Sequence, residues 1–257
     1  MIRDFEGQVA IVTGGSDGIG LATASLLARR GAQVVICGRR QEMLDSARAH
    51  IDAQGGKVDT IRLDVADDAA LTAMIADTAR KYGRLDMLVN NAMSTHYAPI
   101  GKLTLDQWRK DFAVNADAVF VSTKAAMKVM AAAGKGSIVN ISSTCGIRAA
   151  ANMSSYSASK AALIHFTAVA AIEGARQGIR VNAIVPGQVQ TAGTEEFSAR
   201  APEIAAKTAD AIPMGRGGRP DELARAIVFM LSDDASYITG TALPVDGGKA
   251  AQLYMPS

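Results

Sequence analysis

A doubly wound α/β fold, one parallel sheet of about seven strands with helices on both faces, is the architecture this sequence predicts. Three observations carry that expectation. Short β-branched apolar runs alternate with longer helical segments from end to end; the first run passes through a glycine-rich turn directly into a helix; and no repeat, low-complexity tract or linker divides the chain. One domain over 1–257 is expected, since α/β domains of this length often form a single unit.

In chain order, Gln8-Val9-Ala10-Ile11-Val12 is the first strand (8–12), followed by a helix at 18–30. Strands at 33–37 and 58–63 alternate with helices at 41–54 and 67–81. The strand at 86–90 ends in Asn90-Asn91-Ala92, and the one at 136–141 ends just before Ser143. Helices at 104–132 and 155–176 are alanine-rich on more than one face, which suits close packing. A strand at 180–184 leads to Pro186-Gly187, a helix spans 220–231, and the last strand is 241–245. The stretch 186–219, broken by Pro186, Pro202 and Pro213, is expected to be irregular; long loops in compact domains are usually functional, so it is the candidate substrate lid.

Composition narrows the function classes. Hydrophobic residues make up 49% of the 257, enough for a large core, and a net charge of +2 with scattered basic residues argues against nucleic-acid binding. No apolar run reaches the ~18 residues of a membrane span and the N-terminus lacks a signal-peptide core, so no membrane association and a cytoplasmic location are expected. Cys37 and Cys145 read as small buried hydrophobes. His50, His96 and His165 are too dispersed for a metal site, and none is expected.

The first chemical signal is Thr13-Gly14-Gly15-Ser16-Asp17-Gly18-Ile19-Gly20, between a strand and a helix. Glycines there let the backbone approach a pyrophosphate, which the helix N-terminus favours through free N–H groups and its dipole. The glycines fall at 14, 18 and 20, a departure from G-x-G-x-x-G. The second signal is Tyr156 and Lys160, one helical turn apart and so on one face. A lysine cation roughly 4 Å from the phenol, at an effective dielectric near 20, would favour the phenolate by about 4 kcal/mol, or ~3 pKa units. That would prime the tyrosine as a general acid or base.

Together these motifs resemble the short-chain dehydrogenase/reductase family over essentially the whole chain. Further matches are Asn90-Asn91-Ala92, Asn115 in Val114-Asn115-Ala116, Ser143, Pro186-Gly187 with Thr191, and Val245-Asp246-Gly247-Gly248. The resemblance implies a Rossmann-type fold, a homo-oligomer, expected to be a tetramer, through helices 104–132 and 155–176, and an NADP(H)- or NAD(H)-dependent oxidoreductase. It assigns Asn115, Ser143, Tyr156 and Lys160 to catalysis. To the dinucleotide it assigns Gly14, Ser16, Asp17, Gly18, Ile19, Gly20, Arg39, Arg40, Asp64, Val65, Asn91, Ala92, Tyr156, Lys160, Pro186, Gly187, Val189 and Thr191. Asp64 matches the adenine-contacting residue, and read alone it could equally cap the following helix.

The implied reaction is hydride transfer between a nicotinamide and a carbonyl or secondary alcohol. Tyr156 would give its proton to the developing alkoxide and Ser143 would hydrogen-bond the same oxygen. By resemblance, Lys160 would hold the ribose hydroxyls and Asn115 would support a water chain returning protons to it. As alternatives, Ser143 could satisfy a strand end and Asn115 could merely bend its helix. At the second strand's end, Gly38 takes the place of the acid that binds a ribose 2′-hydroxyl, and Arg39 follows. A guanidinium can pair with a 2′-phosphate, so NADP(H) is favoured and NAD(H) remains possible. Asp17 points the other way, because NADP-using relatives often have a basic residue there.

Met93 replaces the glycine that usually ends Asn-Asn-Ala-Gly, and it would add an apolar wall near the cleft. The remaining pocket candidates, Ser94–Tyr97, Thr144–Met153, Gln188 and the 191–215 loop, are mostly small or apolar. They suit a small uncharged ketone, sterol-like ring or cyclic alcohol; Arg148 and His96 are the possible polar contacts. A 3-oxoacyl thioester reductase is a second reading, although Met130-Ala131-Ala132-Ala133-Gly134-Lys135 is poor in the basic charge an acidic carrier needs. A non-catalytic nucleotide-sensing or scaffold protein of the same fold is a third. Retention of the catalytic set argues against it. Epimerase or dehydratase chemistry is disfavoured by the lack of an added sugar-nucleotide domain.

Overall fold

The structure, a computed structural model, describes residues 3–252 of the predicted 1–257 domain. Seven parallel strands, β1 (Val9–Thr13), β2 (Gln33–Gly38), β3 (Lys57–Arg62), β4 (Met87–Asn90), β5 (Gly136–Ile141), β6 (Ile179–Pro186) and β7 (Ala242–Val245), form one sheet in the order β3-β2-β1-β4-β5-β6-β7. The order reverses between β1 and β4, where Ala10 pairs with Met87 and Val12 with Val89. Doubly wound sheets bind ligands at that switch, outside the strands' carboxyl ends.

Both faces of the sheet are buried because successive strand side chains point opposite ways. Ala10, Val12, Val34, Ile36 and Val89 enter one apolar core, against α1 (Gly18–Arg29), α2 (Gln41–Asp52) and α9 (Pro220–Leu231). Ile11, Val35, Leu88 and Ile138 enter the other, against α3 (Asp68–Tyr82), α5 (Ala118–Ala133) and α6 (Ser154–Ala175). Each fully buried side chain such as Leu27 or Leu71 is worth about 1.5–3 kcal/mol in transfer terms. Local signals agree: Asp17 and Asp67 cap α1 and α3 by accepting the Gly18 and Ala70 N–H groups, and α3 stops at Gly83, whose φ of 73° suits glycine. Cys37 is fully buried and burial pushes its thiol up to about 12, whereas Cys145, expected buried, is half-exposed. No helix of the described residues is long and apolar enough to cross a membrane.

The structure corrects two expectations. The helix predicted over 104–132 is three pieces: α4 (Leu105–Phe112), a π-helical turn (Ala113–Asp117) and α5. The extra residue rotates the face that follows, but a stretch alanine-rich on more than one face presents small apolar side chains whichever way it turns, which is why sequence spacing cannot show it. The stretch 186–219, expected irregular, contains α7 (Ala192–Arg200) and α8 (Pro202–Asp210). Pro202 occupies the opening of α8, where its missing N–H costs nothing, so this proline starts a helix instead of breaking one.

Candidate active site

At the carboxyl end of β1 the backbone is shaped by close approach. Gly14 and Gly18 have φ of 62° and 52°, the left-handed region where side chains are disfavoured. A β-carbon on Gly14 would lie 3.0 Å from Asn91 Nδ2, and one on Gly20 would collide with the Gly14 carbonyl oxygen. Thr13 locks this turn to the end of β4: its Oγ1 accepts from the Asn91 and Ala92 N–H groups at 2.9 and 3.1 Å. In return Asn91 Nδ2 donates to the Thr13 and Gly14 carbonyls. A β-carbon on Gly18 would meet Thr191 Cγ2 at 3.0 Å, so the turn also faces the segment after β6.

The catalytic candidates gather at the ends of β4 and β5. Asn115 sits fully buried in the π-turn, its Nδ2 donating to the Ser94 carbonyl (2.8 Å) and Ser159 Oγ (3.0 Å), its Oδ1 accepting from Ser94 N–H. Lys160 is buried, and Nζ donates to the Ile141 carbonyl at 2.8 Å, 5.8 Å from the centroid of the Tyr156 ring. Ser143 opens the 3₁₀ turn Thr144–Gly146 beside Tyr156 and accepts from the Cys145 N–H.

Electrostatics differ from the sequence expectation. Burial pushes the Tyr156 phenol up to about 12; the Ser143 hydroxyl pulls it back, while Cys145, Tyr97 and Asp111 push it further up. Lys160 does not lower it, because its own burial brings the ammonium down to about 7. Near neutrality that leaves the amine only about half charged. The polypeptide alone therefore presents a protonated phenol beside a lysine close to its titration point.

The residues suit a dinucleotide on three observations of the structure. Among the described residues the Ile19 and Gly20 N–H groups at the start of α1 have no hydrogen-bond partner, which is the arrangement a pyrophosphate uses. Gly14 and Gly18, at φ of 62° and 52°, hold the backbone bare of side chains of its own where the turn enters α1. Lys160 Nζ makes one hydrogen bond within the protein, leaving capacity for ribose hydroxyls. Other named positions are spread around this centre. Pro186 ends β6, Gly187 packs against Asp246, and Val189 is buried and bridges to Gly218. Val65 is buried in the core beyond β3, and Ile19 packs on the opposite core. Ser16 Oγ lies 3.3 Å from where a β-carbon on Gly38 would stand.

Arg39 and Arg40 are exposed at the end of β2, and Arg39 lies 4.0 Å from Asp64. Arg40 precedes α2 without a side-chain cap bond. Asp64 is not the cap of α3; that role belongs to Asp67, while Asp64 Oδ1 accepts from Ala66 N–H.

Sequence reasoning missed the buried polar groups beneath these residues. Asn90 Nδ2 donates to Asn140 Oδ1 and Asn140 Nδ2 to Thr167, tying β4, β5 and α6. Asp111, fully buried on α4, accepts from Ser94 Oγ (2.8 Å), His96 Nδ1 (2.8 Å), His96 N–H (3.1 Å) and Ser155 Oγ (2.5 Å). No local spacing in the sequence signals it, because its partners arrive from the loop after β4 and from α6. A cavity of about 700 Å³ opens at the opposite edge of the sheet, beside Arg180, whose guanidinium is occupied by the carbonyls of Met230, Leu231, Ser232 and Ile238.

Residues 14–250 match the model of a family described as enoyl-(acyl carrier protein) reductase. The chain is 43% identical to cis-4-hydroxycyclohexanecarboxylate dehydrogenase of Sinomonas cyclohexanicum and 40% identical to 2,5-dichloro-2,5-cyclohexadiene-1,4-diol dehydrogenase of Sphingobium indicum; in each case 96% of this chain and 98% of the relative align. It is also 40% identical to the 3-oxoacyl-[acyl-carrier-protein] reductase of Thermotoga maritima, over 95% of this chain and 98% of that one. Similar solved structures include NAD+-bound xylitol dehydrogenase (TM-score 0.91, 32% identity, 96% and 100% of the two chains). Another is an Agrobacterium tumefaciens protein, described in its structure as a 2-deoxy-d-gluconate 3-dehydrogenase in provisional assignment, with bound NADP (TM-score 0.90, 35% identity, 97% and 99%).

Proposed function

Because the chain belongs to the short-chain dehydrogenase/reductase family and is an oxidoreductase of CH–OH and C=O groups, we propose that it moves a hydride between NADP(H) and a small cyclic ketone or alcohol. The observation that carries the reading is the pair Tyr156 and Lys160, both buried on one face of α6 with Ser143 beside the phenol. In reduction, Tyr156 gives its proton to the substrate oxygen as charge develops there, and Ser143 donates a second hydrogen bond to that oxygen. A phenol held near 12 is fully protonated at neutral pH and ready for that direction. In oxidation it must first lose its proton, so the rate of alcohol oxidation rises with pH. The bound nicotinamide supplies or accepts the hydride. Lys160 and the start of α1 hold the ribose and pyrophosphate, and Asn115 fixes α6 to the loop after β4.

NADP(H) is favoured by Arg39 and by the absence of an acid at Gly38; relatives of known structure bind either dinucleotide. A cyclic substrate is supported by the ring-bearing compounds named for two relatives and by apolar side chains exposed near the cleft, Met93 and Met214 among them. The segment α7–α8 follows β6 at the carboxyl edge of the sheet and is assigned to cover the substrate. Phe120, Val169 and Ile172, exposed on α5 and α6, support assembly as a tetramer. Similarity to an acyl-carrier-protein reductase keeps 3-oxoacyl thioesters as the second reading. Following NADPH and NADH oxidation against cyclic ketones, sugars and a 3-oxoacyl thioester tests all of this together. Turnover confined to the thioester overturns the substrate class, and no turnover with any member overturns the enzymatic reading.

A further inference from the structure

The loop after β4 and the first turn of α6 meet on one buried carboxylate. Asp111 is fully buried, yet no Lys or Arg pairs with it among the described residues; four hydrogen bonds from Ser94, His96 and Ser155 satisfy it instead. A carboxylate buried this way is expensive unless every lone pair is engaged, so the arrangement is specific. Its four donors come from both sides of the candidate cleft. Ser94 N–H also binds Asn115 Oδ1, and Ser155 immediately precedes Tyr156. Two residues beyond His96, the Ala98 N–H binds the Asn152 carbonyl and closes the loop against the entry to α6.

We propose that Asp111 is a positioning residue for Tyr156, an internal anion that clamps the 94–98 loop to the start of α6 and sets the phenol's position and proton affinity. The inference rests on the oxidoreductase reading above, since it supposes that Tyr156 is the proton donor. The groups facing the phenol are Lys160 on its own helix, Ser143 and Cys145 on the turn after β5, Tyr97 on the loop, and Asp111 on α4 with His96 against it. Asp111 is the carboxylate among them, and its charge disfavours the phenolate. The buried anion therefore keeps Tyr156 protonated while its hydrogen bonds hold the helix turn that carries it. His96 and Ser94, both half-buried, are the members of the clamp nearest solvent, and the His96 proton on Nδ1 faces the carboxylate.

The test compares wild-type protein with Asp111→Asn, which keeps the size of the side chain and removes the charge. The ring-carbon NMR signal of Tyr156, assigned by its loss in Tyr156→Phe, reports the phenol directly and needs no turnover. In Asp111→Asn it is expected to begin titrating about one pH unit lower than in wild type, the scale of a removed nearby charge. The alkaline limb of ketone reduction should move down by the same amount, with kcat lowered about tenfold and dinucleotide affinity changed less than threefold. Superimposable Tyr156 titrations in the two folded proteins overturn the proposal. If Asp111→Asn does not fold, Ser155→Ala keeps the carboxylate and removes its bond to the residue before Tyr156. An expected threefold or larger fall in kcat, together with a displaced Tyr156 signal, supports the clamp, and an unchanged signal refutes it. A wild-type protein that turns over no substrate but shows the titration difference sinks the enzymatic reading alone.

Discussion

At Gly14, Gly18 and Gly20 the cleft is shaped by side chains that are missing, whereas at Asn115, Ser143, Tyr156 and Lys160 it is shaped by side chains buried with their polar atoms. On the dinucleotide side the backbone is packed so closely that one added carbon would collide. On the catalytic side each polar atom is placed through another: Asn115 through Ser94 and Ser159, Lys160 through Ile141, the Tyr156 turn through Asp111. The contrast separates two kinds of failure. Changes on the first side are expected to act through space and weaken dinucleotide binding, and changes on the second to act through protonation and slow the proposed chemistry.

The largest expected effect on turnover lies on the catalytic side. Tyr156→Phe removes one oxygen and keeps the ring, so α6 should pack unchanged. Turnover should fall about a thousandfold, within the range for loss of a general acid, with dinucleotide affinity changed less than threefold. Stopped-flow or long-time NADPH oxidation measures the first, and fluorescence titration the second. A folded Tyr156→Phe that retains a tenth of wild-type turnover contradicts the role given to the phenol.

On the opposite side, Gly20→Ala adds a methyl group into the Gly14 carbonyl and within 2.5 Å of Asn91 Nδ2. The turn must shift, at about 1–3 kcal/mol, and dinucleotide binding should weaken by tenfold or more. Gly101→Ala is the control, because a β-carbon there meets nothing within 4 Å; its stability should stay within about 0.5 kcal/mol of wild type. Equal effects of the two substitutions, measured by denaturant melts and by titration, would erase the distinction between crowded and open glycines.

These two sides were not equally legible in the sequence. A glycine is visible as a letter, and Thr13-Gly14 with Gly18-Ile19-Gly20 between strand and helix declares a close backbone turn. The central strands β1, β2, β4 and β5 were legible as well, since strands buried on both faces read as continuous apolar runs, while β3 and β7 at the sheet's edges were legible by their place in the alternation. Asp111 was hidden: in Trp108-Arg109-Lys110-Asp111 it reads as one charge among several on a surface helix. Its burial depends on Ser94, His96 and Ser155 arriving from distant segments, which no local pattern encodes. The direction of the Tyr156 shift was misjudged for a related reason. Spacing of four places the lysine correctly but says nothing of its desolvation, and desolvation removes the charge that was to act.

That desolvation is measurable as stability. Burial holds Lys160 near 7, below the ordinary 10.5, so between those values the unfolded chain binds a proton that the native protein does not. Stability therefore falls as pH drops from 10.5 to 7 and this contribution is constant below 7. Lys160→Met keeps the apolar stem and removes the titration. The variant should be more stable than wild type near pH 6, by up to about 5 kcal/mol, with the gain shrinking toward pH 10. Thermal melts at the two pH values give the comparison. A gain independent of pH would mean that Lys160 is ordinarily solvated and that the catalytic side is not the dry, side-chain-built environment described above.

A change in cofactor preference, with turnover otherwise kept, tests whether the dinucleotide side is built from backbone alone. Arg39 stands exposed beyond β2, 4.0 Å from Asp64, and Gly38 beside it, facing Ser16, carries no acid. A 2′-phosphate would draw Arg39 away from Asp64 and accept paired hydrogen bonds from it, which a 2′-hydroxyl cannot match. Arg39→Asp removes that donor and sets a second carboxylate beside Asp64, so a phosphate is repelled while a ribose diol gains an acceptor. The ratio of kcat/KM for NADPH over NADH should fall by about tenfold to a hundredfold, equivalent to about 1.4–2.8 kcal/mol, since each tenfold is 1.4 kcal/mol. The change should appear in KM, because the 2′ position is bound alike in ground and transition states. An unchanged ratio would assign cofactor choice to the turn itself, with Asp17 at the head of α1 the next residue to replace.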